Sequence, residues 1–200
     1  MTAQNTLAHT TGTLAQASNA WLKSYYFARF AVSALWVALA FTVARTMPPL
    51  AAIMLVAYPA WDALANFVDA QRTGGLRRNT SQLLNFVISA LTTLAVAIAL
   101  THSMNAVLAI YGVWAALSGL FQLITAVRRW KTSGAQWAMI LSGAQSALAG
   151  IFFVKMAGGV DDIGITNVAP YAAFGAFYFL VSAVWLTVSD IRRKSLRTAS

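Results

Sequence analysis

Apolar residues in this chain gather into six long runs, over approximately 25–45, 50–70, 81–100, 105–127, 135–156 and 168–189, with short polar connections between them. A helix rises about 1.5 Å per residue, so roughly 20 residues cover the ~30 Å hydrocarbon core of a bilayer. Each run is long enough to cross once. Hydrogen bonding closes within each helix, which lipid demands of any spanning segment. The pattern predicts an all-α polytopic membrane protein whose six transmembrane helices form three tandem helical hairpins. Residues 1–22 read as a polar cytoplasmic tail, 23–193 as the six-helix transmembrane domain, and 194–200 as a basic cytoplasmic tail.

Composition agrees. Hydrophobic side chains make up 59% of the 200 residues and charged ones 10%, against about 25% charged in an ordinary soluble domain. The net charge of +9 does not point to nucleic acid, because the basic residues flank apolar runs instead of forming a patch. If each run spans once, Lys23, Arg29, Arg72, Arg77, Arg78, Arg128, Arg129, Lys131, Arg192, Arg193, Lys194 and Arg197 fall on one side. Only Arg45 and Lys155 fall on the other. By the positive-inside rule the richer side is cytoplasmic, with both termini there and the 46–49, 101–104 and 157–167 connections outside. Trp21, Trp130 and Trp137 fall near the expected cytoplasmic interface, where an indole keeps its ring in lipid and its N–H among headgroups. The first 20 residues lack the basic segment and cleavage site of a secretory signal. The chain has no cysteine, which excludes disulfides and thiolate metal sites.

A repeat underlies the runs. Tyr58-Pro59-x-Trp61-x-x-Leu64 in the second recurs 53 residues later as Tyr111-Gly112-x-Trp114-x-x-Leu117, and 63 residues further on as Phe174-Gly175-x-Phe177-x-x-Leu180. Ser89, Thr93 and Ala97 in the third run match Ser142, Ser146 and Gly150 in the fifth at the same offset of 53. These trios, with Ala115 and Gly119 in the fourth, are expected to present small-residue stripes to neighbouring helices. Each repeat crosses twice, so the repeats share one orientation, unlike the inverted repeats of many transporters.

Ionisable groups inside spans are costly, roughly 2.5–3.5 kcal/mol at a helix centre, and are the natural candidates for a site. Arg29 falls about one turn inside the first span and Asp62 about two turns inside the second, with Asn66 and Asp69 on the same face as Asp62. Arg29 and Asp62 are the candidate intramembrane polar pair. Gln82, Asn85, Gln122 and Gln136 occupy similar depths; with Asn66 and Asp69 they are expected to support a polar cluster. The cluster reads either as a proton or ion relay or the floor of a small binding vestibule, or else as a structural ion pair. In the structural case Asp62→Asn reduces folded protein and not only activity. Pro59, three residues before Asp62, is tolerated in a membrane helix and expected to kink it. His102, in an outer connection, is a candidate sensor of external acidity, because histidine is the side chain whose charge ordinarily changes in that pH range. Asp161 and Asp162 lack the ligand number that calcium requires. No HExxH, GxSxG, phosphate-loop or dinucleotide motif occurs, so no enzyme activity, catalytic residue, metal or cofactor is expected.

Ala28-Arg29-Phe30, Met47-Pro48-Pro49 and Tyr58-Pro59-Ala60-Trp61-Asp62-Ala63 resemble the HdeD-like acid-resistance membrane proteins, six-helix bacterial inner-membrane proteins built from a short repeat of unknown function. Residues 111–154, with Leu117-Ser118-Gly119-Leu120-Phe121-Gln122 and Leu141-Ser142-Gly143, are similar to the fullest form of that repeat. Phe30 and Ala63 stand where the family typically has glycine. The resemblance, over nearly all of 25–193, implies a multi-pass protein of the bacterial inner membrane that aids survival in acid or related stress, with no defined reaction. Its expected partners are the lipid bilayer and further copies or other membrane proteins, not nucleic acid. The alternative is a small proton- or solute-transporting protein in which Asp62 titrates and Arg29 gates.

Overall fold

A computed structural model describes residues 2–128, 136–159 and 162–198, with side chains over 20–124, 126–127, 140–159 and 162–192. The side chains of Arg128, Arg129, Trp130, Lys131, Gln136, Trp137, Asp161, Arg193, Lys194 and Arg197 lie outside these ranges. The fold is all-helical: α1 Thr2–Thr42, α2 Pro48–Arg72, α3 Thr80–Ala99, α4 Met104–Arg128, α5 Gln136–Ala157 and α6 Ile165–Thr198. Six segments are long and apolar enough to span a bilayer: Ala20–Thr42, Pro48–Arg72, Thr80–Ala99, Met104–Ile124, Ile140–Ala157 and Ile165–Arg192. The polar residues from Thr2 onward continue the first span as one helix.

Local chemistry sets several helix ends. A short 3₁₀ turn, Ala44–Thr46, follows α1, and Pro48 and Pro49 open α2, where a missing N–H costs nothing. Gly74 and Gly75, with φ of 109° and 90°, turn the chain after α2. Such values are open to glycine without a Cβ penalty.

The chain divides into two compact units, one drawn from residues up to Leu35 and from Ala173 onward, the other being Trp36–Ala172. In the first, α1 and α6 meet through the Lys23 Nζ–Asp190 Oδ2 ion pair at 2.7 Å and stacked rings of Tyr26 and Phe179.

In the second unit, consecutive helices pack on one another, most closely α4 on α5 and then α2 on α3. Its core is aromatic. Tyr58 lies against Trp36 and Trp114, and Trp114 also meets Tyr111 and Tyr171 edge-on. The repeat positions Tyr58, Tyr111 and Trp114 thus converge. The surface is unlike that of a soluble domain: Ile53, Leu94 and Leu148 are 66%, 63% and 66% exposed, while Asn66, Asp69, Ser89 and Thr92 are buried along with the apolar core. Water would penalise such a surface; hydrocarbon does not.

Glycine makes the α4–α5 contact. A Cβ on Gly112 would stand 2.8 Å from the Gly150 carbonyl oxygen, and one on Gly143 would stand 2.9 Å from that of Gly119. Cβ atoms on Gly119 and Gly150 would likewise collide with backbone of the facing helix. The small-residue stripes expected on α4 and α5 do meet: Gly119 and Gly150 lie in this contact, and Ser146 Oγ donates to the Ala115 carbonyl at 2.9 Å. Glycines seven apart on each helix make the close approach, and the correction falls on α3. In α3, Ala97 is exposed and the buried set is Ser89, Thr92, Val96 and Ala99. At about 100° per residue, steps of four drift by roughly 40° each, whereas alternating three and four hold one face.

Candidate functional site

The second helix carries the site, and Pro59 shapes its approach. Proline has no N–H, so the carbonyl four residues earlier, that of Leu55, loses its helical donor. In lipid an unmatched carbonyl is expensive. Tyr111 of α4, fully buried, donates its hydroxyl to the Leu55 oxygen at 2.7 Å. One residue earlier, the Met54 carbonyl accepts the indole N–H of Trp36 at 2.9 Å. Side chains of α1 and α4 thus grip α2 at its proline.

Asp62 lies one turn beyond. It is 14 residues past Pro48 and ten before Arg72, so about 15 Å from the Arg72 end of a helix ~37 Å long. That is nearly three turns in rather than two, because α2 runs on past residue 70. Its Oδ2 accepts a hydrogen bond from Ser89 Oγ at 2.7 Å and from Asn66 Nδ2 at 3.0 Å. Ser89 Oγ in turn accepts the indole N–H of Trp114 at 3.1 Å. A chain of donors from α4 through α3 therefore ends on a carboxylate of α2.

A second rung repeats the arrangement. Gln82 Nε2 donates to Asp69 Oδ2 at 3.2 Å. From the Ser89–Asp62 contact this is seven residues on in α2 and seven back in α3, the register of two antiparallel helices. The same register sets Asn85, half-buried, level with Asn66. The 62/66/69 face of α2 is thus matched residue for residue by 89/85/82 of α3. Gln122, half-buried on α4, lies eight residues and about 12 Å beyond Trp114.

Arg29 belongs to the other unit. There its guanidinium lies 4.2 Å from the Phe179 ring centroid, and its NH1 donates to the Tyr25 hydroxyl at 3.0 Å. A cation over an aromatic face, shielded from water, is favoured by about 2 kcal/mol. His102 is exposed beside Thr101, whose hydroxyl lies 3.3 Å from its Nδ1. Among the described residues no group of three or more His, Cys, Asp or Glu could hold a metal ion.

Sequence reasoning placed Asn66 and Asp69 beside Asp62 through helical spacing. It read Ser89 only as a small packing residue and Tyr111 only as a repeat position. The signals were there: Ser89 faces Asp62 in the hairpin register, and a proline in a span calls for a donor to its fourth-preceding carbonyl.

Residues 83–155, from early α3 to the end of α5, match the family described as a short repeat of unknown function (DUF308). That stretch holds Ser89, Tyr111, Trp114 and the glycine crossing. No curated protein and no solved structure matches the chain significantly.

Proposed function

We propose that this chain is a non-enzymatic integral protein of the bacterial inner membrane, of the HdeD-like type, that supports survival in acid or related stress. Both termini face the cytoplasm in this reading. The observation that carries it is the surface: six spanning-length helices expose leucine, isoleucine and phenylalanine and bury Ser33, Asn66, Asp69, Ser89 and Thr92, within a chain whose residues 83–155 match the short repeat. The hydrogen-bonded α2–α3 contact and the glycine-tight α4–α5 contact suit a rigid membrane body that stabilises the bilayer or a partner in it. The test is deletion of the gene followed by survival counts at low pH across growth phases. Reduced survival restored by the intact gene is expected; unchanged survival removes the acid-tolerance role.

A second reading is proton or solute movement through Asp62. It is favoured by a carboxylate near mid-span with a buried neighbour, the Trp61 indole N–H, that has no acceptor among the described residues. A buried donor left unmatched costs free energy, which a polar solute passing Asp62 would offset. Purified protein in liposomes should then carry a flux that Asp62→Asn abolishes. No flux, or a flux indifferent to that substitution, rejects this reading.

A further inference from the structure

Three neutral polar side chains toward the Arg72 end of the second unit lie on buried helix faces without being buried. With Trp114 as origin and about 100° per residue, the buried Val107, Leu108, Tyr111, Ala115 and Gly119 of α4 fall between roughly 0° and 140°. The exposed Val113, Leu117, Leu120 and Ile124 fall between roughly −60° and −120°. Ser118 at about 40° and Gln122 at about 80° are inside the buried arc, yet both are only half-buried. In α3, Asn85 falls at about −40° from Ser89, within the arc of the buried Thr92, Val96 and Ala99, and is half-buried too. Among the described residues, none of these three side chains has a hydrogen-bond partner, and their polar ends are not enclosed.

Two contacts fix the depth of α4 beside α2. The Tyr111 hydroxyl reaches the Leu55 carbonyl 56 residues away, and Trp114 meets Tyr58 at the same offset. That offset sets Ser118 level with Asp62 and Gln122 level with Asn66, where the α2–α3 register also sets Asn85. One turn from Asp62, away from Arg72, the bundle is shut: Trp36, Tyr58, Tyr111 and Trp114 are buried and touch ring to ring.

We infer that water enters the α2–α3–α4 bundle from the Arg72 end, hydrates Asn85, Ser118 and Gln122 and reaches the level of Asp62, and that the ring cluster closes the path beyond. The inference rests on the membrane reading and deepens the flux reading, by naming the end from which a proton or small polar solute meets the carboxylate. The occupant is water because hydrocarbon would leave the amides and the hydroxyl unsatisfied. With the rings together Asp62 communicates with one side only, and movement across the membrane requires them to part.

A thiol reacts as the thiolate, which forms in water and not in hydrocarbon. Asn85→Cys, Ser118→Cys and Gln122→Cys are made singly in the full chain, which has no other cysteine. Leu84→Cys and Leu120→Cys are the lipid-facing controls; Gln71→Cys and His102→Cys report the two sides. A membrane-impermeant cationic methanethiosulfonate is applied to right-side-out and to inverted membrane vesicles, and modification is read by intact-mass spectrometry. The three positions should react at least roughly tenfold faster than the two controls, and only in the vesicles in which Gln71→Cys reacts. Size-exclusion profiles should match the wild type, since cysteine is no larger than the residues replaced and no hydrogen bond is lost. Reaction as slow as at the controls overturns the entry and leaves the membrane reading standing. Reaction from the His102 side as well overturns the seal, and the inference with it. Controls that react as fast as the three refute the membrane reading itself. Three reactive positions in a protein without flux uphold the entry and remove only transport through Asp62.

Discussion

The tyrosine at the proline offers a sharp energetic test. Tyr111→Phe removes one oxygen from a fully buried side chain and leaves its volume nearly unchanged. The Leu55 carbonyl then has neither its helical donor, which Pro59 lacks, nor the hydroxyl that replaces it at 2.7 Å. Removing one partner of a buried hydrogen bond costs about 1–3 kcal/mol. Interhelical hydrogen bonds in membrane proteins average only ~0.6 kcal/mol and reach ~1.7, because the unfolded chain in the membrane also finds partners. The Leu55 carbonyl loses its helical donor to Pro59 and would keep none after the substitution, so the expected cost is at the upper end, about 1.5 kcal/mol. In a Pro59→Ala background the N–H returns and the carbonyl regains a helical donor, so the same Tyr111→Phe should cost only about 0.5 kcal/mol. The double-mutant cycle should thus show a coupling of about 1 kcal/mol or more. The assay is reversible unfolding in mixed micelles, titrated with denaturing detergent and followed by circular dichroism. Costs that add within ~0.3 kcal/mol would refute the argument that the tyrosine compensates for the proline.

Three further outcomes follow from the packing. Gly119→Ala forces a Cβ into the backbone of α5 and should destabilise the fold by about 1–3 kcal/mol, whereas Gly158→Ala, with only an ordinary contact at 3.5 Å, should be close to neutral in the same unfolding assay. Ser89→Ala strips Asp62 of one donor and Trp114 of its acceptor, with an expected loss of about 1–3 kcal/mol; a change below ~0.5 kcal/mol would mean the relay contributes little to folding. Lys23→Ala should cost no more than about 1 kcal/mol, with the loss shrinking in high salt, because the Lys23–Asp190 pair is 28% and 23% exposed and water screens it.

The spans were legible because length and apolarity alone define them; most helix ends fall within a few residues of the apolar runs, but α1 begins at Thr2 and α6 runs to Thr198, since polar sequence continues both helices beyond their spans. Thr42, not Arg45, ends α1, since a 3₁₀ turn intervenes before Pro48. The 62/66/69 face was legible through helical spacing. Its partners on α3 were within reach of the antiparallel register, but polar residues at similar depth also occur on other spans, and spacing cannot choose among them. The glycine crossing was harder. Gly119 and Gly150 read as interface positions, but Gly112 entered only as the repeat equivalent of Pro59 and Gly143 only within Leu141-Ser142-Gly143, and only the facing backbone reveals that all four belong to one contact. The donor to Leu55 was hidden because Tyr111 lies 56 residues away, a separation no local pattern bridges.

Because the chain has no cysteine, nitroxide labels can be placed singly without background, and they test most directly whether lipid is the solvent. Leu94→Cys and Leu148→Cys sit on the exposed apolar faces of α3 and α5; Gln71→Cys sits in the last turn of α2 and His102→Cys in the α3–α4 connection. In reconstituted bilayers, labels at 94 and 148 should be relaxed strongly by oxygen and weakly by a water-soluble nickel chelate, with the reverse at 71 and 102. Strong relaxation by the nickel chelate at 94 and 148 would contradict a membrane-embedded six-helix body.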